Sequence, residues 1–335
     1  MNPICRRASR PAAMLAVLCG AIGCSRPAHE QHDAAPTVVT APGIPSGSAS
    51  AAPSASNRPA PVARHVDATG GAMVEIPAGT LIIRWAQEGE DPRVKVEAFQ
   101  IDETEVTVAA FRECVGAHSC SPQDGQNETW STESDKKKLK ELCNWGKPDR
   151  DKHPMNCVDW AHANAFCKWA GKRLPTEEEW EYAARGPEST KFPWSSEKPT
   201  PAMLATMVNG CGPECAPLRK QLASDYFYFK ENLPIGDAWP ATAPVGSFPS
   251  GASAFGALDM AGNVEEWTAS TGFDDGNGLR GKRSNRFRLV RGSSWMDTWI
   301  DAFELAGRKQ FFTAGRAAWI GFRCARGGSR VGGDK

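Results

Sequence analysis

Asp259, Asn263 and Glu266 place three oxygen-bearing side chains within eight residues, on a loop that contains Gly262. Carboxylates, an amide and carbonyls turned inward by a glycine form a hard-oxygen set of the kind that takes Ca²⁺. Capping and surface solvation is the plainer use of the same residue types. A second group lies further on. Trp295, Asp297, Trp299, Asp301 and Arg316 set aromatic surface beside charge. An apolar floor with a few polar groups suits a protein or glycan ligand, so these five form the candidate ligand pocket. Phe311 and Phe312 read as core. Arg291, Arg308 and Arg323 read as partners of buried carboxylates or carbonyls.

Thiol and imidazole chemistry is more limited. The chain has 11 cysteines. Cys5 and Cys19 fall in a signal-like start and Cys24 in a lipidation-like box. That leaves Cys114, Cys120, Cys143, Cys157, Cys167, Cys211, Cys215 and Cys324. An even set in an exported domain points to disulfides. Cys114–Cys120 and Cys211–Cys215 are compatible with short-range pairs. Cys143–Cys157 would close a loop, and Cys167–Cys324 would tie the middle of the chain to its end. Spacing alone fixes none of them. Cys211-x-x-x-Cys215 also permits zinc, but no second close Cys/His pair accompanies it. His118, His153 and His162 stand apart in sequence, so a three-histidine metal site is not expected. His153-Pro154 reads as structural.

These groups need a scaffold, and its limits are legible. Arg6, Arg7 and Arg10 precede an apolar run from Ala12 to Gly23 that is too short for a permanent span. A basic start, a short apolar core and small residues before a cut read as an export signal. Ala21-Ile22-Gly23-Cys24 resembles the box before the lipid-modified cysteine of bacterial lipoproteins, and acyl chains on Cys24 would give a stable anchor. Ser25 rather than Asp points to the outer membrane. From Ser25 to Gly70, Ala, Pro and Ser dominate, which predicts a disordered tether. The expected organisation is a signal at 1–24, a tether at 25–70, one domain at 71–326 and a flexible tail at 327–335. A formal net charge of zero gives no sign of a nucleic-acid partner. Twelve Trp against three Tyr suits packed loops and shallow ligand sites.

Within the domain, Met73–Pro77 and Thr80–Trp85 read as strands broken at Ala78-Gly79. Val94–Ile101 reads as one further strand. Thr107 starts a helix through Phe111 and Val115. Asp159 caps a helix from Trp160 to Ala170, ended by Gly171. Thr176 and Glu179 form a capping box for a third, which ends near Gly186. Beyond it, about 100 residues show only short strands such as Arg288–Arg291. Disulfides, metal ions or dense side-chain hydrogen bonds must fix so long a loop-rich stretch.

The motifs then line up in order. Met73-Val74-Glu75-Ile76-Pro77-Ala78-Gly79, Glu105-Val106-Thr107 and the run from Lys172-Arg173-Leu174-Pro175-Thr176-Glu177-Glu178-Glu179-Trp180 to Gly186 come first. Gly256 to Trp267, Arg291-Gly292-Ser293-Ser294-Trp295 and Gly321-Phe322-Arg323 follow. From residue 71 to 326 the chain resembles the formylglycine-generating, or sulfatase-modifying-factor, family. The resemblance implies a loop-rich α+β fold related to C-type lectins, braced by disulfides, including Cys167–Cys324, and by calcium. It carries over calcium ligands as the side chains of Asp259 and Glu266 with the carbonyls of Gly262 and Val264. A second calcium site is partly kept through Asp237 and the carbonyl of Trp239, with the family's Asn falling on Thr206.

The resemblance also implies a copper centre of two neighbouring cysteines after the Arg-Gly-Gly-Ser motif, because Cu(I) needs soft thiolates. Here the stretch from Trp295 to Glu304 contains no cysteine. No copper is therefore expected, and no formylglycine formation by that route. The added helical domain of an iron-dependent branch is not expected either, since the stretch before residue 71 reads as tether. The reading is a non-oxidase binding or accessory module. The rival is an enzyme of the same superfamily that acts on a sulfur-containing substrate with other residues of the pocket.

Overall fold

A computed structural model describes residues 64–66, 71–83, 92–122, 133–221, 233–234, 236–274 and 282–328. The expected signal, Cys24, most of the tether and most of the tail lie outside the described residues. No helix among the described residues is long and apolar enough to cross a membrane.

Among the described residues, three small sheets carry the α+β fold. Strands β1 (Arg64–Val66), β2 (Ala72–Ile76), β3 (Gly79–Ile82), β4 (Arg93–Val96) and β5 (Phe99–Asp102) lead the chain. β1, β2, β5 and the last strand, β10 (Ala325–Gly327), form an antiparallel sheet in that order, so both ends of the domain meet at one centre. β1 corrects the tether boundary at residue 70: Arg64 pairs with Val74 and Val66 with Ala72. Its three residues are too few and too polar to show a strand pattern in sequence.

The single strand expected over Val94–Ile101 is two. β4 pairs with β3 in a separate hairpin, and β5 enters the main sheet. The burial parity shows why: Val96 is buried on an even position, Phe99 and Ile101 on odd ones. A pleated strand cannot change parity without a break, and here it falls at Glu97-Ala98.

The helices begin where their caps predict. α1 (Val108–Gly116) starts at Thr107, whose side chain accepts from Ala110 N. α2 (Glu133–Lys140) was not anticipated. α3 (Trp160–Trp169) starts at Asp159, whose side chain accepts from His162 N. α4 (Glu177–Arg185) has the complete Thr176/Glu179 box and stops at Gly186 with φ +68°. Two short helices follow, α5 (Pro201–Leu204) and α6 (Ala216–Gln221). Trp180 and Ala184 of α4 pack with Val74, Ile76, Phe99 and Ile101 in one core cluster. Phe111 of α1 and Phe166 of α3 stack at 5.7 Å in a second, with Trp267 and Phe322.

Beyond Gly186 regular structure is richer than expected. β6 (Glu265–Phe273) and β7 (Arg283–Arg291) are nine residues each and form an irregular antiparallel pair. β8 (Lys309–Phe312) joins β7, and β9 (Ile320–Gly321) runs parallel to β6. Register shifts within β6 and its polar partner blur the period-2 signal. Phe312, expected in the core, is exposed, whereas Phe311 is buried. Their opposite fates follow from alternation on β8.

All eight domain cysteines are paired: Cys114–Cys120, Cys143–Cys157, Cys167–Cys324 and Cys211–Cys215, with Cα–Cα distances of 5.3, 5.5, 5.6 and 5.2 Å. The irregular stretches are further fixed by backbone bonds such as Cys211 N to Asp297 O and Trp295 N to Asn263 O.

Candidate functional site

The Gly262 loop is built by close backbone approach. Gly262 has φ +87°, and a Cβ there would collide with the carbonyl oxygen of Asn209. Asp259 and Asn263 also adopt positive φ, at 56° and 57°. Short polar side chains tolerate that region best after glycine. Asp259 is buried and accepts from Gly246 N at 2.5 Å. Burial raises its pKa, with Gly246 and Arg323 opposing.

Glu266, a calcium ligand by the resemblance, accepts hydrogen bonds from Arg323 and Trp180. Arg323 donates to Oε1 from Nη2 at 2.7 Å and from Nε at 3.0 Å. Oε2 accepts from Arg323 Nε and Trp180 Nε1, each at 2.7 Å. Three N–H groups serve the carboxylate, the single Arg323 Nε–H being shared between its two oxygens, against about four lone-pair sites. The expectation that Arg323 serves a buried carboxylate and carbonyls therefore holds. Arg291 likewise meets Glu181 at 2.6 Å, and Arg308 Nε meets Glu177 at 2.6 Å.

The loop also gathers a residue that sequence reasoning passed over. Glu105, on the segment between β5 and α1, is 2% exposed. Neither of its carboxylate oxygens has a hydrogen-bond partner among the described residues. Burial, then the neighbouring Asp259 carboxylate, pushes its pKa well above the usual range. Its only signal in the sequence is the Glu105-Val106-Thr107 motif, which also marks the start of α1.

The second site corrects an assignment. Thr206 is exposed and donates to Met203 O. The residue beside Asp237 is Asn209, whose Nδ2 reaches Asp237 Oδ2 at 3.3 Å and Ala241 O at 3.1 Å. Asn209 is 1% exposed and its Oδ1 has no partner among the described residues. Asp237 accepts from Gly210 N at 2.6 Å and Trp239 N at 2.8 Å. Burial, with a smaller contribution from Glu214, raises its pKa to about 7 against these bonds. Glu214 accepts from Asp237 N at 3.1 Å, which places a second carboxylate at this site. Among the described residues no three His, Cys, Asp or Glu side chains converge as a metal group, so both sites would lean on amide or carbonyl oxygens.

The five-residue pocket does not assemble. Trp295 is core, 1% exposed, with Nε1 donating to Ala318 O at 3.1 Å. Asp297 is buried and caps its own turn by accepting from Ser294 N at 2.8 Å. Trp299 is 53% exposed, Asp301 pairs on the surface with Lys198, and Arg316 is half-buried. Residues 295–298 are all buried, and the chain emerges at the surface from Trp299 to Asp301. Asp297 joins instead a cluster from other strands. Lys309 of β8 bonds Glu265 of β6, and Asp297 acts electrostatically on both. Burial raises the Glu265 pKa. Burial also opposes the Lys309 charge, yet Glu265 and Asp297 hold that ammonium above its usual range. Lys309 is thus a fixed cation rather than a nucleophile.

Comparison with known proteins places this geometry. The family described as "Sulfatase-modifying factor enzyme 1-like domain" matches residues 58–327. The chain is 29% identical over 359 residues to formylglycine-generating enzyme of Mus musculus, covering 92% of this chain and 87% of that one. It is 30% identical over 259 residues to inactive C-alpha-formylglycine-generating enzyme 2 of the same species, covering 68% of this chain and 75% of that one. Among solved structures, PvdO from Pseudomonas aeruginosa aligns with TM-score 0.55 and 26% identity, over 80% of this chain and 99% of that chain.

Proposed function

Because the chain belongs to the sulfatase-modifying factor family, we propose that it is a non-oxidase member, a calcium-braced module for a protein or glycan ligand, held at the bacterial cell envelope through a lipid on Cys24. One observation carries the reading. Every cysteine from Cys114 to Cys324 is in a disulfide, and Asp297, Trp299 and Asp301 occupy the stretch where copper-binding cysteines would stand. A soft Cu(I) ion has no thiolate to hold it there. That the family includes a member named as inactive agrees with this.

The ligand surface is smaller than the five-residue pocket. Trp299 offers an exposed indole two residues from Asp301, which pairs with Lys198 on the surface, and such a ring can stack on a sugar or a peptide side chain. The calcium part of the reading is supported by the orphaned buried oxygens of Asn209 and Glu105. Such atoms are rare in folded proteins and point to an ion or water. Calcium would brace loops that have little regular structure of their own.

The rival reading, an enzyme of the superfamily using other groups, is favoured by the Glu265–Lys309–Asp297 cluster. Its two buried carboxylates around one fixed cation could move protons. Incubating the mature protein with a Cys-x-Pro-x-Arg peptide and copper separates the two. The expected result is no aldehyde. Aldehyde formed on repeated turnover would overturn the proposal.

A further inference from the structure

A cavity of about 670 Å³ lies between the start of β2, the end of β5, the first turns of α1 and the last turn of α3. That volume is in the range of small-ligand pockets. Its lining grades inward from solvent. Glu113 is exposed and Trp169 half-buried, whereas Phe166, Asp102 and Glu105 are buried. Phe166 and Trp169 form an aromatic wall, with ring centroids 5.6 Å apart and planes tilted by 52°. The frame is cross-braced. Cys167–Cys324 ties α3 to the segment before β10, and Cys324 N donates to Asp102 Oδ2 at 2.8 Å. A preformed site gives up little freedom when it binds.

The polar groups of the lining are unevenly committed. Its donors are largely spent. Lys172 Nζ lies 2.5 Å from Asp102 Oδ1, and the lysine side chain is 2% exposed. The N–H groups that open α1 are taken as well. Val108 and Ala109 donate to the carbonyls of His153 and Asp151, and Ala110 donates to Thr107 Oγ1. An anion at this helix start would find none of those three donors free. The acceptors are in surplus. Three carboxyl groups, of Asp102, Glu105 and Glu113, face one ammonium. Glu113 carries no hydrogen bond or ion pair from its side chain among the described residues, and neither oxygen of Glu105 has a donor.

A spare carboxylate beside aromatic rings suits a cation. The ring faces attract it, and the carboxylate accepts its charge-assisted hydrogen bond. We propose that this cavity binds an organic ammonium group carried on an apolar stem, with Glu113 holding the charge at the mouth and Trp169 and Phe166 packing on the stem. The inference goes beyond the binding-module reading and depends on neither copper nor calcium. The ammonium has two sources, a lysine side chain of a partner protein or a free amine.

The test is calorimetric titration of the mature chain, in calcium buffer at low salt, with n-pentylamine, Nα-acetyl-lysine amide, n-pentanol and valerate. The amines are expected to bind saturably, and the alcohol and the acid to bind roughly tenfold more weakly or less. Tighter binding of acetyl-lysine amide assigns the site to a protein's lysine, and tighter binding of pentylamine assigns it to a free amine. Glu113→Gln should weaken amine binding about 3-fold, as for a partly exposed charge. Trp169→Leu should weaken it about 5-fold through the lost ring face. Glu113→Lys should abolish it. Because Glu113 is exposed, both of its variants should melt with the wild type, which shows that they are folded. Equal binding of pentanol and pentylamine would overturn the proposal and leave an apolar hole. Undiminished amine binding in Glu113→Lys, or no saturable binding of either amine to wild type, would overturn it too.

Discussion

Arg323 and Glu266 lie against each other with side-chain exposures of 0% and 1%, a buried ion pair that joins the last segment of the domain to β6. Its value is in what its loss would leave behind. Arg323→Ala would strand Glu266 without its charge partner and remove the donors from three carbonyls. The expected cost is about 3–5 kcal/mol in urea unfolding. Arg323→Lys keeps the charge but loses the fork, so it should also destabilise. A Lys variant with wild-type stability would show that charge alone suffices.

The disulfides should differ in weight. Cys167–Cys324 closes 157 residues and Cys211–Cys215 only 4. Loop-closure entropy assigns about 5 kcal/mol to the first and about 2 to the second. Replacing each pair by alanine and comparing denaturation midpoints checks the order. Equal losses would contradict it.

His153 predicts an acid-sensitive hinge between the loop before α3 and the Thr242 segment. The ring is buried, with Nδ1 3.1 Å from Thr242 Oγ1 and 3.3 Å from Arg150 Nη1. Burial, then the Arg150 charge, lowers its pKa to about 4 from an ordinary 6.5, and Asp149 opposes. Between those values the unfolded chain binds the proton and the folded one resists it. Stability therefore falls as pH drops from 6.5 toward 4, by about 1–2 kcal/mol after allowance for screening. His153→Gln should flatten that part of a pH-stability curve. An unaltered slope would assign the effect elsewhere.

Chelation should loosen the domain. At a free calcium 100 times Kd, each site adds about 2.7 kcal/mol. Removing the ion should lower the melting temperature by roughly 5–10 °C per site, using a few degrees per kcal/mol for a domain of this size. Asn209→Ala should lose part of that shift, whereas Thr206→Ala should not. An unchanged melting temperature with chelator would count against calcium altogether.

What the sequence disclosed follows from the range of the interactions involved. The helix starts at Thr107, Asp159 and Thr176 were legible because a cap bonds only three residues away. The disulfide between Cys167 and Cys324 came from the family, since no spacing argument spans that distance. The break between Val96 and Phe99 is legible only as a parity change of the apolar positions. Asn209 cannot be told from Thr206 without knowing which reaches Asp237: Thr206 is exposed and bonds Met203 O, whereas Asn209 is buried and bonds Asp237. Glu105 was hidden for a related reason. It lies more than 150 residues from Asp259 in the chain, and only the folded backbone makes them neighbours. The five candidate pocket residues divide between core and surface, since the chain leaves the core after Thr298, a change that side-chain types alone do not reveal.

The central claim is that this domain presents no thiol to a metal or a substrate, and thiol counting tests it most directly. The mature chain would be denatured without reductant, alkylated and mapped by mass spectrometry. All eight cysteines from Cys114 to Cys324 should escape alkylation and appear in the four observed pairs. A reproducibly free thiol at any of them would contradict the account and reopen copper chemistry.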